Sequence, residues 1–129
     1  MKLIQSKRAR IAGRLMVRTV ALIMVLAGGL KLAGLGAEDM VEGLEKANLI
    51  QHLTLISVTA IVCGSMLLIP RARTVGLSMS SAYWGGAIVA HLTYNDSVLM
   101  PAGILTMLWM GQWLVAQAGA DVTEDDDAE

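Results

Sequence analysis

Three long uncharged stretches constrain this chain more than any other feature. They cover residues 47–70, 74–95 and 97–120, which are 24, 22 and 24 residues long, and they are separated only by Arg71-Ala72-Arg73 and Asp96. A helix of about 20 residues is as long as the hydrocarbon core of a bilayer is thick, about 30 Å. Only 16% of the residues are charged, whereas soluble domains carry about 25%. The sequence therefore predicts an integral membrane protein whose helices are surrounded by lipid.

A shorter apolar segment precedes these stretches. Only the twelve residues 19–30 separate Arg18 from Lys31, and such a run is too short to span a bilayer. The aliphatic stems of arginine and lysine can lie along the apolar zone and carry their charges to the interface, which extends the predicted helix to about 15–36. A secretory signal is the alternative interpretation. Lys31 within the run and the lack of an Ala-x-Ala cleavage site argue against it.

The predicted fold class is all-α, an integral membrane bundle of four antiparallel helices. The helices are expected near residues 15–36, 48–69, 74–94 and 98–117. Their short connections force neighbouring helices to be antiparallel, and Pro70 predicts a break near Ile69. Residues 1–14 are expected to form a basic cytoplasmic segment, either a surface helix on anionic lipid or a topology signal alone. Residues 118–129 are expected to form an acidic, disordered tail. Residues 37–47 fit either a short helix at the interface or a solvated loop.

Basic residues predict the orientation, because the cytoplasmic loops of membrane proteins are rich in lysine and arginine. Eight of the ten lysines and arginines lie within residues 1–18 or in the turn at 70–73. Both termini are therefore expected in the cytoplasm, and the protein is expected to be a multi-pass protein of the inner membrane. The predicted topology determinants are Arg8, Arg10, Arg14, Arg18, Arg71 and Arg73.

Small residues predict where helices meet. Lipid is as apolar as leucine, so membrane helices are held together by close packing and not by the hydrophobic effect. The third predicted helix carries such residues at intervals of about one turn. We call them the small-residue stripe: Ala82, Gly85, Gly86 and Ala90. The stripe predicts the closest approach to a neighbouring helix, with Gly28 and Gly29 of the first helix as candidate partners.

His91 is the polar residue of greatest functional interest. Trp84 precedes it by seven residues and Tyr94 follows it by three, so the three share one side of the third helix. An ionisable side chain within a membrane is a functional candidate, and His91 is suited to binding a quinone carbonyl or passing protons. The structural alternative is a hydrogen bond to a neighbouring helix, and the residues leave both interpretations open.

Lys31 and His52 complete the candidate ligand or polar-network residues. His52 and His91 are both expected at the outer side, but a metal site there needs further ligands and nothing in the spacing demands one. No metal is therefore predicted. The chain has no CxxC motif, no phosphate-binding glycine loop and no nucleophile–histidine–carboxylate set. We predict neither a catalytic residue nor a nucleic-acid partner.

Four segments together resemble the DoxX-like family of small four-helix membrane proteins. They are Lys-Leu at 31–32, Met-Val-Glu-Gly-Leu-Glu-Lys at 40–46, Leu-Ile-Pro-Arg at 68–71 and Tyr-Trp-Gly-Gly-Ala-Ile-Val-Ala-His at 83–91. The resemblance extends from about Arg18 to Leu114 and implies a four-helix bundle with no secure cofactor. Some relatives are associated with quinone-linked sulfur oxidation or with membrane complexes that handle oxidative stress. Quinone is therefore the one cofactor that the resemblance suggests.

One position departs from the family pattern. Relatives commonly carry a glutamate about ten residues before the proline of the second helix, where this chain has Ala60. If that glutamate pairs with the lysine of the first helix, Lys31 has lost its partner. It must then reach the interface or pair with one of three outer carboxylates, those of Glu42, Glu45 and Asp96.

Three functions are compatible with these residues. The first is a non-catalytic accessory subunit of a membrane redox or stress-related complex, in contact with a membrane oxidoreductase or with a second copy of itself. The second is a small-solute transporter, for which Lys31 and His91 would hold an anion or a neutral solute because the first helix has no acidic residue. The third is a quinone-interacting redox protein that depends on His91.

Overall fold

A computed structural model describes residues 2–35 and 38–126, with side chains from Gln5 to Gly119 except at 36, 37, 39 and 40. Every regular element in these ranges is helical. The elements are α1 (Lys2–Ala33), α2 (Glu38–Lys46), a 3₁₀ turn (Ile50–His52), α3 (Leu53–Leu68), α4 (Arg73–Thr93) and α5 (Leu99–Asp126). The predicted all-α class is confirmed.

Within the described residues, three segments are long and apolar enough to cross a membrane. They are Gln5–Ala33, Ile50–Leu68 and Leu99–Gly119. The fourth predicted span corresponds to α4, which has 21 residues but is less apolar than the others. Its serines, Tyr83 and His91 lower its hydropathy.

The first and last helices are longer than the sequence predicted. α1 begins at Lys2 instead of near residue 15, and α5 continues to Asp126 instead of ending near 117. The two extensions support each other, because Nη2 of Arg10 donates a hydrogen bond of 2.6 Å to the carbonyl oxygen of Ala118. Residues 118–126, expected to be disordered, are therefore helical, and residues 127–129 lie outside the described ranges.

The connections between helices follow the local sequence. Ile69 is extended (φ −89°, ψ 116°), as expected before Pro70, so the predicted break is confirmed. Of the two alternatives for residues 37–47, the helix is correct over Glu38–Lys46.

Three helices end with a residue in the left-handed conformation. These residues are Gly34 after α1, Asn48 after α2 and Asn95 after α4, with φ of 67°, 56° and 55°. In each case the next backbone N–H bonds to the carbonyl five residues earlier, as from Asp96 to His91 at 3.0 Å. This is the Schellman motif, in which glycine or asparagine reverses the chain and satisfies the terminal carbonyls.

Helix α1 packs against α3 and α5, and α4 packs against the same two helices from the other side. The core between them is formed by Val17, Val20, Ala21, Met24, Cys63, Leu67, Leu77, Trp84 and Leu108. Helices α1 and α3 approach closely enough that a Cβ at Gly28 would lie 2.7 Å from the carbonyl oxygen of Ser57. A side chain there is excluded because backbone atoms occupy the space.

Paired contacts fix the relative directions of the helices. Gly28 meets Ser57, whereas Gly64 meets Ala21, so α1 and α3 run in opposite directions. Gly13 of α1 meets the carbonyl of Gly111 in the middle of α5, whereas the earlier residue Arg10 bonds to the later residue Ala118, so these two helices are also opposed. We call residues 2–14, 69–73 and 115–126 the basic end of the molecule, and residues 34–52 and 94–98 the α2 end.

Candidate functional site

A polar cluster at the α2 end joins the last turn of α4 to the first turn of α5. Asp96 is at its centre: its backbone N–H bonds to the carbonyl of His91 at 3.0 Å, and its Oδ1 accepts a bond of 2.7 Å from the N–H of Ser97. Oγ of Ser97 in turn accepts a bond of 3.3 Å from the N–H of Leu99. The carboxylate is therefore held in place by the same bonds that end one helix and begin the next.

His91 and Asp96 form the ionisable pair of this cluster. Nδ1 of His91 lies 3.3 Å from Oδ2 of Asp96, and the two side chains are 19% and 56% exposed. The atoms are not aligned for a hydrogen bond, and Nδ1 has no other hydrogen-bond partner among the described residues. The contact is thus an ion pair when the imidazole is protonated, at a helix C-terminus where a positive charge is favoured.

Tyr94 connects this pair to α2. Its ring lies 5.4 Å from that of His91, centroid to centroid, with the planes tilted by 39°. A Cβ at Gly43 would lie 3.3 Å from the Tyr94 hydroxyl, so α2 rests directly on the phenol. Burial raises the pKa of Tyr94, the charge of Asp96 raises it further, and the charge of Lys46 opposes them.

Helix α2 contributes charge to the edge of the cluster. Nζ of Lys46 lies 2.6 Å from Oε1 of Glu42 one turn earlier, and this hydrogen bond and charge raise the pKa of Lys46. Both side chains are more than half exposed, so the pair adds little stability. Because Lys46 occupies Glu42, that carboxylate is not the partner of Lys31 that the sequence offered.

The chemistry available to the cluster is hydrogen bonding and proton exchange among an imidazole, a carboxylate and a phenol. Among the described residues no group of three or more His, Cys, Asp and Glu side chains could hold a metal ion. The contact of His91 with Asp96 lies in the connection that follows α4, so it is not the hydrogen bond to a neighbouring helix that the structural interpretation expected. Both interpretations of His91 stay predictions.

The other predicted polar residues lie apart from this cluster. Trp84 is buried (7% exposed) on the same side of α4 as His91, with its ring edge-on to Tyr83. Lys31 is half-buried and His52 is exposed, and neither makes an ion pair with a described carboxylate. The structure thus brings His91 and Tyr94 together and leaves Lys31 and His52 outside their contacts.

The small-residue stripe does not make the helix contact expected of it. A Cβ at Gly85 or Gly86 would meet no described atom within 4 Å, and the same holds for Gly29. Of the glycines predicted to pack, only Gly28 lies against another helix, and that helix is α3. Helix α4 meets α5 beside the stripe instead, at Ser81, whose Oγ accepts a hydrogen bond of 3.0 Å from Nε1 of Trp109.

The predicted topology determinants all lie at the basic end or next to it. Arg8, Arg14, Arg18 and Arg71 are exposed, whereas Arg10 bonds to α5 and Nε of Arg73 is buried. Sequence reasoning missed the buried hydroxyl of Ser80 and did not group it with Arg73. The signal was present in their spacing with Leu77, Trp84 and His91, which places all of them on one side of the helix.

An open apolar groove runs along the outer side of α5. It is lined by Leu105, Thr106, Trp109, Met110 and Trp113. Trp109 and Trp113 are both more than half exposed. Because Trp109 is bonded to Ser81, the groove adjoins the small-residue stripe of α4.

Comparison with models of known families, with curated proteins and with solved structures finds no match for this chain.

Proposed function

We propose that this chain is a DoxX-like protein of the inner membrane that serves as a non-catalytic accessory subunit of a membrane redox or stress-related complex. In this proposal α1, α3, α4 and α5 form an antiparallel four-helix bundle that crosses the bilayer, with both termini in the cytoplasm. Helix α2 lies at the outer surface. The complex binds the bundle through the small-residue stripe.

The packing of the helices supports a fourth crossing by α4. Helix α3 ends at the basic end, near Leu68, and α5 begins at the α2 end, near Leu99. Both are antiparallel to α1, so α4 must travel the full length of the bundle to connect them. Its 21 residues extend about 31 Å as a helix, which matches the thickness of the hydrocarbon core.

The outer surface supports a lipid environment around all four helices. Large apolar side chains are exposed on every one of them, including Leu26 of α1, Leu55 of α3, Val89 of α4 and Met110 of α5. Water-soluble monomers rarely expose large contiguous patches of apolar side chains. In lipid the same surface is in its preferred solvent.

The distribution of basic residues supports the orientation. The basic end carries all the arginines except Arg18, which lies next to it, and the α2 end carries fewer lysines and arginines. Because cytoplasmic segments retain basic residues, the basic end is proposed to face the cytoplasm.

The uncovered small-residue stripe is the observation that carries the accessory role. Gly85 and Gly86 leave the backbone of α4 bare, with no described atom where a side chain would be. In membranes such positions are where helix backbones approach each other. Since no helix of this chain uses the stripe, we assign it to a transmembrane helix of the partner, with Trp109 at one edge of the contact.

Site-specific photo-crosslinking in native membranes tests this assignment. A photoreactive side chain replaces Val89, next to the stripe, or Leu26 on the opposite side of the molecule. The two positions are comparable because their side chains are 60% and 62% exposed. The expected result is an adduct with a subunit of a membrane oxidoreductase from the Val89 position only. Gly86→Leu should abolish that adduct because its side chain fills the contact.

Gly29→Leu is the matched control, since a Cβ at Gly29 also meets no described atom but lies on α1. It should leave the adduct intact. Adducts from Val89 that contain lipid alone, or another copy of this chain alone, would contradict the accessory role.

A further inference from the structure

Buried polar atoms without partners lie along one side of α4. The residues on that side recur at intervals of four and three, and we call them the inner stripe: Arg73, Leu77, Ser80, Trp84, Ala87 and His91. Four of them carry a buried nitrogen or oxygen without a hydrogen-bond partner among the described residues, namely Arg73 Nε, Ser80 Oγ, Trp84 Nε1 and His91 Nδ1. The one further atom of this kind in the described side chains is Oε1 of Gln112 on α5.

Ser80 and Trp84 form the most deeply buried pair of the inner stripe. Their exposed fractions are 0% and 7%, and they are one helical turn apart. Ser78 and Ser81 each donate to the carbonyl four residues earlier, at 3.3 and 2.8 Å, as serines in helices commonly do. Ser80 makes no such bond, so its hydroxyl is available to a ligand.

The chemistry of the two groups defines the ligand. An indole N–H only donates, whereas a hydroxyl both donates and accepts. The ligand must therefore accept a hydrogen bond from the indole. It must also be small, because both groups are buried. An unsatisfied polar group in a membrane interior costs several kcal/mol, and ordered water is the usual partner of buried polar groups that protein does not satisfy.

The packing of α4 leaves it freer than its neighbours. Its contacts with α3 and α5 are sparser than those that α1 makes with the same helices. The close backbone approaches at Gly13, Gly28, Gly64 and Gly111 all involve α1, and the single one on α4 is at Gly76, near its start. At the other described glycines of α4, Gly85 and Gly86, a Cβ would meet nothing within 4 Å. Helix α4 is therefore less tightly interlocked with its neighbours than α1, and a small outward movement would admit water.

We propose that Ser80 and Trp84 form a hydration site in the middle of the membrane, which water occupies when α4 moves slightly away from α3 and α5. Trp84 Nε1 donates to the bound water, and Ser80 Oγ exchanges a hydrogen bond with it. The site needs no partner protein, so its test is independent of the accessory role.

Water-edited solid-state NMR of the full chain in phosphatidylcholine vesicles tests the proposal. With ¹⁵N-labelled tryptophan, each indole signal is assigned by a Trp→Phe variant, and the transfer of magnetisation from water is timed. The expected result is faster transfer to Trp84 than to Trp109. Trp109 is the dry reference: it is 51% exposed on the outer surface but bonded to Ser81 at a similar depth.

Ser80→Val should slow the transfer to Trp84 several-fold, because it removes the hydroxyl and fills the site. Ser78→Val, on the exposed side of α4, is the matched control and should change nothing. Transfer to Trp84 that is as slow as to Trp109 in the unchanged protein would overturn the proposal. It would mean that the interior is dry.

A second measurement avoids reliance on Ser80→Val folding normally. In a Cys63→Ala background, Ser80→Cys should react with a small water-soluble thiosulfonate at least ~10-fold faster than Met79→Cys, because thiolates form only where water is present. Met79 is 39% exposed on the outer surface and so faces lipid in the proposed bundle. Equal or slower reaction of Ser80→Cys would overturn the hydration site.

Discussion

Gly28 and Gly29 are neighbours in α1, yet only one of them touches another helix. A Cβ at Gly28 would lie 2.7 Å from the carbonyl oxygen of Ser57 and 2.8 Å from Cγ1 of Ile61, whereas a Cβ at Gly29 would meet nothing within 4 Å. Gly28 is therefore required by packing. Gly29 only weakens the helix, since glycine is a poor helix former.

Alanine at each position should have opposite effects on stability. Gly28→Ala is expected to lower the free energy of unfolding by about 1–3 kcal/mol, because the backbone of α3 must move to admit the methyl group. Gly29→Ala is expected to leave it unchanged or raise it by up to about 1 kcal/mol. Unfolding in mixed detergent micelles, followed by circular dichroism, measures both. Equal destabilisation by the two would contradict the close α1–α3 contact.

Residues of this kind mark the limit of sequence reasoning. Gly28, Gly29 and the small-residue stripe look alike in sequence, because spacing gives the side of a helix but not which helix covers it. His91 and Tyr94 were found because their spacing alone brings them together. The contact of Gly43 with Tyr94 depends on how α2 folds back over α4, and no local pattern encodes it.

At the scale of secondary-structure elements, a side-chain hydrogen bond ties α4 to α5. Trp109 Nε1 donates to Ser81 Oγ at 3.0 Å, whereas the nearby hydroxyl of Ser78 bonds only within its own helix. Ser81→Ala should therefore destabilise the protein by about 0.5–1.5 kcal/mol, and Ser78→Ala should be close to neutral. A double-mutant cycle with Trp109→Phe measures the coupling. A coupling energy of zero would mean that the bond contributes nothing.

The end of α4 depends on the conformation of Asn95. Its φ of 55° suits asparagine or glycine but strains a β-branched residue by about 1–2 kcal/mol. Asn95→Val should lower the thermal unfolding temperature and Asn95→Gly should not. If both variants melt alike, the chain does not reverse at Asn95 through this motif.

Helix ends were the most accessible part of the fold from sequence alone. Pro70 correctly predicted the break after α3. Gly34, Asn48 and Asn95 carried a similar signal, since glycine and asparagine favour the left-handed position after a helix. The continuation of α1 and α5 beyond the apolar stretches was missed, because a charged segment reads as solvated tail unless its partner helix is known.

At the scale of the whole molecule, the direction of α4 decides the architecture. In a Cys63→Ala background, Arg71→Cys and Asn95→Cys introduce one thiol at each end of α4. A membrane-impermeant maleimide should label Asn95→Cys in intact cells and Arg71→Cys only after the membrane is opened, because the proposed topology puts the two turns on opposite sides. Labelling of both from the same side would exclude a crossing by α4.

The membrane character of the molecule was the part best predicted from sequence, because uncharged length is a direct measure of what lipid accepts. Three of the four predicted spans satisfy length and hydropathy together. The bounds of the fourth, α4, were predicted to within one residue, but its lower hydropathy was not. The spacing places the polar residues of the inner stripe on one side of α4, but only the folded molecule shows that the other helices cover that side.

The contact between the beginning of α1 and the end of α5 has a consequence for biosynthesis. Arg10 and Ala118 are 108 residues apart, so about 5–20 s of translation separate them at ordinary ribosome speeds. During that interval the surface of α1 around Gly13 is not yet covered by α5, so a chaperone or a neighbouring nascent chain can bind it. Slowing the ribosome within the codons for α5 should therefore increase exchange of helices between copies, although each copy would still enter the bilayer normally.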